Sequence, residues 1–273
     1  MKIHCFIPAR MGSSRFPGKP LFKINNKAMI EWIFLASKKS QCHEVYITTP
    51  DEEIISFCNE KNFPVLKTSP KHERCLDRVY EAYQELKDRT DKDIVVCMQG
   101  DEPLVVPEMI NTIVKFHKKK QSDFVVSALR ITKEEFNNPN IVKIAHDDNF
   151  KTIYTSRAPI PYTKNFNQDS IRIYGLFTLS PKGLETFYEL PPSRLEILES
   201  CDTNRILGTS LSQYVCIHNN VPIQQSVDIY ADAIKADEIL GLVNGLYATG
   251  SGMGGITIIE SFKTPGESKL NLE

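Results

Sequence analysis

Three cations, Arg10, Arg15 and Lys19, stand in the segment IPARMGSSRFPGKPL (Ile7 to Leu21) among Gly12, Ser13, Ser14 and Gly18. The segment follows a short apolar run, Ile3 to Ile7, which stops at Pro8. A Gly/Ser loop directly after a strand can turn several backbone N–H groups toward one anion. Arginine grips phosphate oxygens through paired donors, and lysine adds a point charge. Gly12 and Gly18 allow backbone angles that other residues resist. The combination suits a triphosphate, although composition alone is equally met by a basic surface loop that binds nothing. The Walker pattern is not met, because Gly12 stands six residues before Gly18 and Pro20 follows Lys19.

Two acids could complement that loop. In VVCMQGDEPLV an apolar strand runs into Gln99, Gly100, Asp101 and Glu102. A carboxylate just past a strand end, beside a phosphate site, can hold Mg²⁺, a hard cation that takes oxygen ligands. A turn in which Gly and Asp serve only the backbone is the competing reading. Asp228, in QSVDIY, stands at a strand-to-helix junction, where a plain helix N-cap competes with a metal role.

Positioning these residues requires a regular scaffold. Apolar runs alternate with amphipathic segments along the first half: KIHCFIP, EVYITT, FPVLKT, DIVVCMQ and DFVVSAL read as strands. Residues 28–39, 51–61, 73–86 and the stretch opened by Pro107 read as helices between them. The apolar positions 75, 76, 79, 83 and 86 recur at helical spacing. Such alternation predicts an α/β fold built of right-handed βαβ units around a mostly parallel sheet. Ligands then bind beyond the carboxyl ends of the strands, which are where the loops after Ile7 and Met98 begin. Beyond residue 130 the pattern becomes β-rich and proline-punctuated. The expectation is one domain over 1–248, with an inserted β-rich lobe at about 130–180 and an extension over 249–273. SIRIYGLFTLS (170–180) and QQSVD (224–228) read as strands, 193–207 and 230–246 as helices, and GITIIESF (255–262) as a possible strand.

Composition narrows the classes. A net charge of −1 argues against a general nucleic-acid binder. No apolar run spans a membrane, and the N-terminal apolar stretch is too short for a signal peptide. Seven scattered cysteines without a Cys-x-x-Cys pair fit a reduced, cytoplasmic protein without a cysteine-bound metal. Lys118 to Lys120 read as a solvated helix end. His72 and His117 read as surface residues.

IPARMGSSRFPGKPL, QGDEPLV and SVDIYADAIKADEIL resemble the cytidylyltransferases that activate acidic sugars with CTP, above all the 3-deoxy-manno-octulosonate (Kdo) group. The resemblance covers about residues 1–243. It implies a Rossmann-like nucleotide-binding sheet and transfer of CMP from CTP to the hydroxyl of a Kdo-like acid, with release of pyrophosphate. It implies that Arg10, Arg15 and Lys19, with the backbone of Ala9, Met11, Gly12 and Ser13, bind the CTP phosphates. Gln99 is expected near the cytosine, and Asp101 and Asp228 are expected to hold Mg²⁺. On the acceptor side, NPNIVK, TSRAPIP with Arg157, IYG with Tyr174, and SRLEILESCDTNRIL with Glu196, Glu199 and Arg205 match family segments; Arg157 is expected to pair with the acceptor's carboxylate, and Tyr174, Glu199, Asp202 and Thr203 are expected as further substrate contacts. A homodimer built through the β-rich lobe is also implied.

The resemblance departs at four places. A family histidine four residues before Tyr174 is here Ser170, and a Glu-Gln pair in the late helix is here Asp202 and Thr203. Shorter polar groups leave a gap that predicts an acid different from, or bulkier than, Kdo, such as one with an amino group facing Asp202. The helix start at KHERCLDRVYEAY (71–83) resembles the spore-coat polysaccharide cytidylyltransferase-like proteins, so that Arg74, with Asp77 and Arg78, becomes a candidate for the nucleoside contacts. An acceptor of that second group, a nucleotide-sugar glycosyltransferase and a nucleotide-binding module without catalysis are the alternatives. The three cations of the first loop favour a triphosphate over the glycosyltransferase's diphosphate sugar.

Overall fold

The computed structural model describes residues 1–166 and 169–249. In chain order the elements begin with β1 (Ile3–Pro8), a 3₁₀ turn at Lys19–Leu21, the short β2 (Lys23–Ile24) and β3 (Lys27–Ala28), and α1 (Met29–Lys38). They continue with β4 (Glu44–Thr49), α2 (Glu52–Lys61), β5 (Val65–Lys67), α3 (Cys75–Gln84), β6 (Ile94–Met98), α4 (Pro107–Lys120) and β7 (Phe124–Arg130). Then come α5 (Lys133–Asn137), β8 (Lys143–His146), β9 (Thr152–Ser156), β10 (Ile171–Leu179), α6 (Pro181–Glu189), α7 (Arg194–Glu199), β11 (Gln213–Ile217) and α8 (Tyr230–Thr249).

The central sheet has the order β11-β7-β10-β6-β1-β4-β5. β1 pairs in parallel with both β4 and β6, which sends the loops after β1 and β6 out of the same edge side by side. β10 runs antiparallel between β6 and β7, so its first residues reach that same edge. The segment expected to form an inserted β-rich lobe supplies the hairpin β8–β9 and, in β10, a strand of the main sheet.

Strand alternation divides the core. Ile3, Cys5 and Ile7 of β1, with Ile94, Val96 and Met98 of β6, face α1 and α4 on one side. Phe6, Val95 and Cys97 face α3 and α6 on the other, where Phe124, Phe177 and Phe187 gather edge to face. Burying each such aromatic removes a large apolar area from water and contributes roughly 1.5–3 kcal/mol. A third cluster joins Ile24, Met29, Leu104, Val227, Ala233 and Ala236, with Phe16, Phe22 and Trp32 packed on it. It clamps the start of α8 against the first loop.

Three expectations need correction. His117 is 5% exposed, on the inner face of α4, with Nδ1 3.0 Å from Thr178 Oγ1. The helical spacing from Ile110, Ile113 and Val114 puts it on the apolar stripe of α4. The segment 224–228 is not a strand. It is tied to the loop after β6 by single bonds, such as Val227 N–H to Asp101 O at 2.8 Å, and Ser226 Oγ donates to Glu102. The helix expected over 193–207 ends at Glu199, because Ser200 turns left-handed at φ 50° and a 3₁₀ turn follows at Asp202–Asn204. The break lets Asn204 bond both the N–H and the carbonyl of Thr155 in β9. The stretch 255–262 lies outside the described residues.

Candidate active site

One cleft of about 510 Å³ opens at the carboxyl edge of the sheet, between the first loop, the loop after β6 and the turn after α7. That volume lies in the ordinary range for small-molecule sites.

The first loop is held from below. The Asp51 carboxylate accepts the Met11 N–H at 2.7 Å, and the Met11 carbonyl accepts the N–H groups of Ser13 (2.9 Å) and Gly18 (3.0 Å). Gly18 sits at φ 74°, which a side chain would resist, whereas Gly12 has an ordinary backbone and open space around it. Ala9, Arg10, Ser13, Ser14, Arg15 and Lys19 line the cleft, but Met11 and Gly12 do not. The Met11 N–H, already bonded to Asp51, serves to shape the loop.

The two cations further along the loop meet the two candidate metal acids. Lys19 Nζ lies 3.1 Å from Asp101 Oδ2 and donates to the carbonyl of Val227 at 2.8 Å. Arg15 Nη2 donates to Asp228 Oδ1 at 2.9 Å across 213 residues of sequence. Asp101 Oδ1 is buried and, among the described residues, has no hydrogen-bond partner. Such an orphaned carboxylate oxygen is costly unless something else satisfies it. Among the described residues no group of three or more His, Cys, Asp or Glu is arranged to hold a metal ion. Two carboxylates are nevertheless what Mg²⁺ commonly takes when phosphate oxygens and water complete its shell.

Glu102, beside Asp101, was not anticipated. It is 4% exposed and accepts from Ser226 Oγ at 2.8 Å and from the Gly175 N–H at 3.0 Å. Burial, reinforced by the Asp101 charge, pushes its carboxyl up to about 7. A Cβ on Gly175 would come within 2.9 Å of both Gln99 Oε1 and Glu102 Oε1, so the glycine of IYG makes room for these side chains. Gln99 lines the cleft, its backbone N–H on the Gly175 carbonyl at 2.7 Å and its Nε2 3.5 Å from Cys75 Sγ.

The LDR segment divides its work. Arg74 lines the cleft, with Nε 3.6 Å from Glu196 Oε1. Arg78 also reaches the cleft wall, but its guanidinium bonds Thr68 Oγ1 (2.5 Å) and the Ser69 carbonyl (3.1 Å). Asp77 pairs with buried Arg205, which also forks onto Glu196 at 2.7 and 2.8 Å. Glu196, Arg205 and Asp77 therefore fasten α7 to α3. His72 is half-buried beside Glu81, on the cleft rim rather than free in solvent.

On the acceptor side the expected residues separate into those that face the cleft and those that support it. Arg157 lines it, yet its donors go to backbone carbonyls: Nε to Glu199 at 2.9 Å, Nη1 to Pro139 at 3.1 Å, Nη2 to Ser200 at 3.4 Å. Glu199 lies behind it. Burial would raise the Glu199 carboxyl, but bonds from Tyr154, the Arg157 N–H and Ser156 outweigh this and hold it below its ordinary value. Tyr174 is fully buried away from the cleft, its hydroxyl on Gln224 Oε1 at 2.8 Å. Ser170 is buried as well and does not line the cleft. Asp202 does line it. Burial raises its carboxyl, against the pull of Arg74. Thr203 reaches the wall, but its hydroxyl lies 2.9 Å from Thr155 Oγ1. Lys143 of NPNIVK is a buried brace, its ammonium on the carbonyls of Asn138, Ile141 and Arg157. Arg172, which the sequence reading passed over, lines the cleft from β10. Its signal was a lone cation inside an apolar strand.

An α/β sheet whose carboxyl edge carries a cationic loop facing paired acids defines a nucleotide-handling enzyme. The chain matches the cytidylyltransferase family over residues 4–231 and belongs to it. It is 38% identical over 223 residues to a 3-deoxy-manno-octulosonate cytidylyltransferase of Thermodesulfovibrio yellowstonii, covering 76% of this chain and 86% of that protein. An 8-amino-3,8-dideoxy-manno-octulosonate cytidylyltransferase of Shewanella sp. strain W3-18-1 is 32% identical over 237 residues, 84% of this chain and 96% of that one. Among solved structures, a CMP:2-keto-3-deoxy-manno-octonic acid synthetase complexed with CTP superposes with a TM-score of 0.81 at 26% identity, over 89% of this chain and all of that one.

Proposed function

We propose that this protein transfers CMP from CTP to a hydroxyl of an ulosonic acid of the Kdo class and releases pyrophosphate. The observation that carries the reading is the pairing of Arg15 with Asp228 and Lys19 with Asp101 on one cleft wall. Cations that meet acids in this way can transfer to a triphosphate when it arrives, and leave the carboxylates free for a metal. The names of the related cytidylyltransferases support the substrate pair.

The acceptor hydroxyl attacks the α-phosphorus, a P–O bond forms, and the bond to the β,γ-pyrophosphate breaks opposite to it. Arg10, Arg15 and Lys19 hold the phosphates in line and stabilise the charge that grows on the leaving group. Gln99, fixed by Gly175 and Cys75, and Arg74 would contact the nucleoside. Asp101 and Asp228 would hold Mg²⁺, and the orphaned Asp101 Oδ1 fits that role. When bound, the metal neutralises phosphate charge and lowers the pKa of the attacking hydroxyl.

A second copy of the chain is the proposed partner. Tyr154 bonds Glu199 and so brings β9 beside α7, and on these elements Ile153, Leu195, Ile197 and Leu198 are exposed. Among the described residues no helix is long and apolar enough to cross a membrane. All seven cysteines are free, which fits a reducing, cytoplasmic setting.

Pyrophosphate release from CTP on addition of Kdo or its 8-amino analogue tests the reading. Release dependent on both substrates is expected. CTP binding without release against either acid would leave a nucleotide-binding module.

A further inference from the structure

Resting on the metal role proposed for Asp101 and Asp228, we infer that Glu102 is a positioning residue: through Ser226 it clamps the segment before α8 to the loop after β6, and so keeps Asp228 beside Asp101. Residues 218–229, between β11 and α8, form neither helix nor strand. So long an irregular stretch does not place a side chain by itself. Asp228 depends on the bonds that tie its neighbours down, and these are of two kinds.

One kind runs through the cations of the first loop. Arg15 Nη2 donates to Asp228 Oδ1 at 2.9 Å, and Lys19 Nζ donates to the Val227 carbonyl at 2.8 Å. On the proposed reading these bonds are given up when Arg15 and Lys19 turn to the phosphates of CTP. The other kind runs to the loop after β6 and needs no cation. The Val227 N–H donates to the Asp101 carbonyl at 2.8 Å, and Ser226 Oγ lies 2.8 Å from both carboxyl oxygens of Glu102. Asp101 and Glu102 thus hold the two residues that precede Asp228, one through its backbone and one through its side chain.

Glu102 is itself fixed. It is 4% exposed, and its Oε1 accepts the Gly175 N–H of β10 at 3.0 Å. A Cβ on Gly175 would come within 2.9 Å of Glu102 Cγ and Oε1, so this strand position admits the glutamate because it carries no side chain. The carboxylate therefore bridges β10 to the segment before α8. Its bonds also separate its task from that of Asp101. Both Glu102 oxygens lie within bonding distance of a protein donor, whereas Asp101 Oδ1 is buried and, among the described residues, has no partner. A carboxylate oxygen left open suits a cation, and one already met by a hydroxyl and an amide suits a brace. Bonds that orient a ligand in this way commonly govern metal affinity about ten- to a hundredfold.

The test is calorimetric: the CTP Kd of each protein in EDTA and at saturating Mg²⁺, without acceptor. The ratio of the two Kd values reads how strongly metal and nucleotide support each other, apart from turnover. Wild type should bind CTP at least about tenfold more tightly with Mg²⁺. Ser226→Ala and Glu102→Ala should each cut that ratio about five- to tenfold. Their Kd in EDTA should stay within about twofold of wild type, which reports an intact fold and intact loop cations; Ser226→Ala, which removes one hydroxyl, carries the test if Glu102→Ala does not fold. The double variant should lose no more than the weaker single, since both remove the same bond. Glu102→Gln can still bridge Ser226 and Gly175 and should recover most of the ratio. The inference is overturned if Ser226→Ala keeps the wild-type ratio within about twofold. It is also overturned if Glu102→Gln falls as far as Glu102→Ala, since Glu102 would then act by its charge, as a metal ligand. A wild type whose CTP affinity ignores Mg²⁺ would overturn the metal role and the clamp with it. Absence of pyrophosphate release with Kdo and its 8-amino analogue would overturn the acceptor class alone, because the binding ratio needs no acceptor.

Discussion

Lys19 Nζ stands 3.1 Å from Asp101 Oδ2 in a half-buried ion pair between residues 82 positions apart. The pair joins the loop after β1 to the end of β6, and under the proposed function each partner takes a separate task.

Separating those tasks gives the first prediction. Lys19→Ala should raise the CTP KM ten- to a hundredfold, since a charge-assisted contact is worth roughly 1.5–3 kcal/mol. Asp101→Asn, nearly the same in size, should keep the fold and lower kcat at least about a hundredfold, as loss of a charge-stabilising group does. Melting temperature and kinetics on the same samples check both. Full activity of Asp101→Asn at ordinary Mg²⁺ would exclude it as a metal ligand.

Arg157→Ala should act mainly on stability. It takes the guanidinium away from the carbonyls of Pro139, Glu199 and Ser200, at a cost of about 1–3 kcal/mol. In a domain of this size that is a loss of roughly 3–10 °C in Tm. An unchanged Tm with a greatly weakened acceptor would show that Arg157 serves the acceptor and not the fold.

Acid should destabilise the protein through two histidines. Burial pushes both His117 and His218 down to about 4, from an ordinary 6.5. Above 6.5 they are neutral in both folded and unfolded chains. As pH falls from 6.5 toward 4, the unfolded chain takes up protons that the folded one refuses, and stability is lost. At 1.36 kcal/mol per pH unit, each costs up to about 2 kcal/mol between pH 6.5 and 5. Glu102 works in the opposite sense: its raised value, about 7, favours the fold below 4.5 and loses that benefit as pH rises through 7. Comparing urea unfolding of His117→Gln with wild type cancels the Glu102 contribution. The variant should show the shallower pH slope, and equal slopes would mean that His117 is not held neutral.

Acceptor choice is the last prediction. Asp202 reaches the cleft as a largely buried acid, near enough to Arg74 for that cation to oppose the rise in its pKa. An acceptor ammonium there would pair with Asp202 as ion to ion, whereas a hydroxyl would bring no charge to the bond. The 8-amino analogue should exceed Kdo in kcat/KM by tenfold or more, about 1.4 kcal/mol of transition-state preference. The reverse order would show that Asp202 serves its own turn.

The sequence by itself determined the sheet, the edge at which the cleft opens and the cations of its first loop. Those depend on local quantities: apolar periodicity in DIVVCMQ and EVYITT, glycine and serine beside cations at 10–19, an acid directly after a strand. Reading its motifs against the family also singled out Gln99, and, at departures from the pattern, Arg74 and Asp202; all three line the cleft. Only the tertiary structure decided which polar groups were free to act. Nothing in TSRAPIP shows that the Arg157 donors end on carbonyls 17 to 43 residues away. Nothing in IYG shows that Tyr174 turns inward to Gln224 while its glycine makes room for Gln99 and Glu102. The free or spent state of a donor depends on which partner lies within about 3 Å of it. That distance is set by how strands far apart in sequence pair and how the loops between them close.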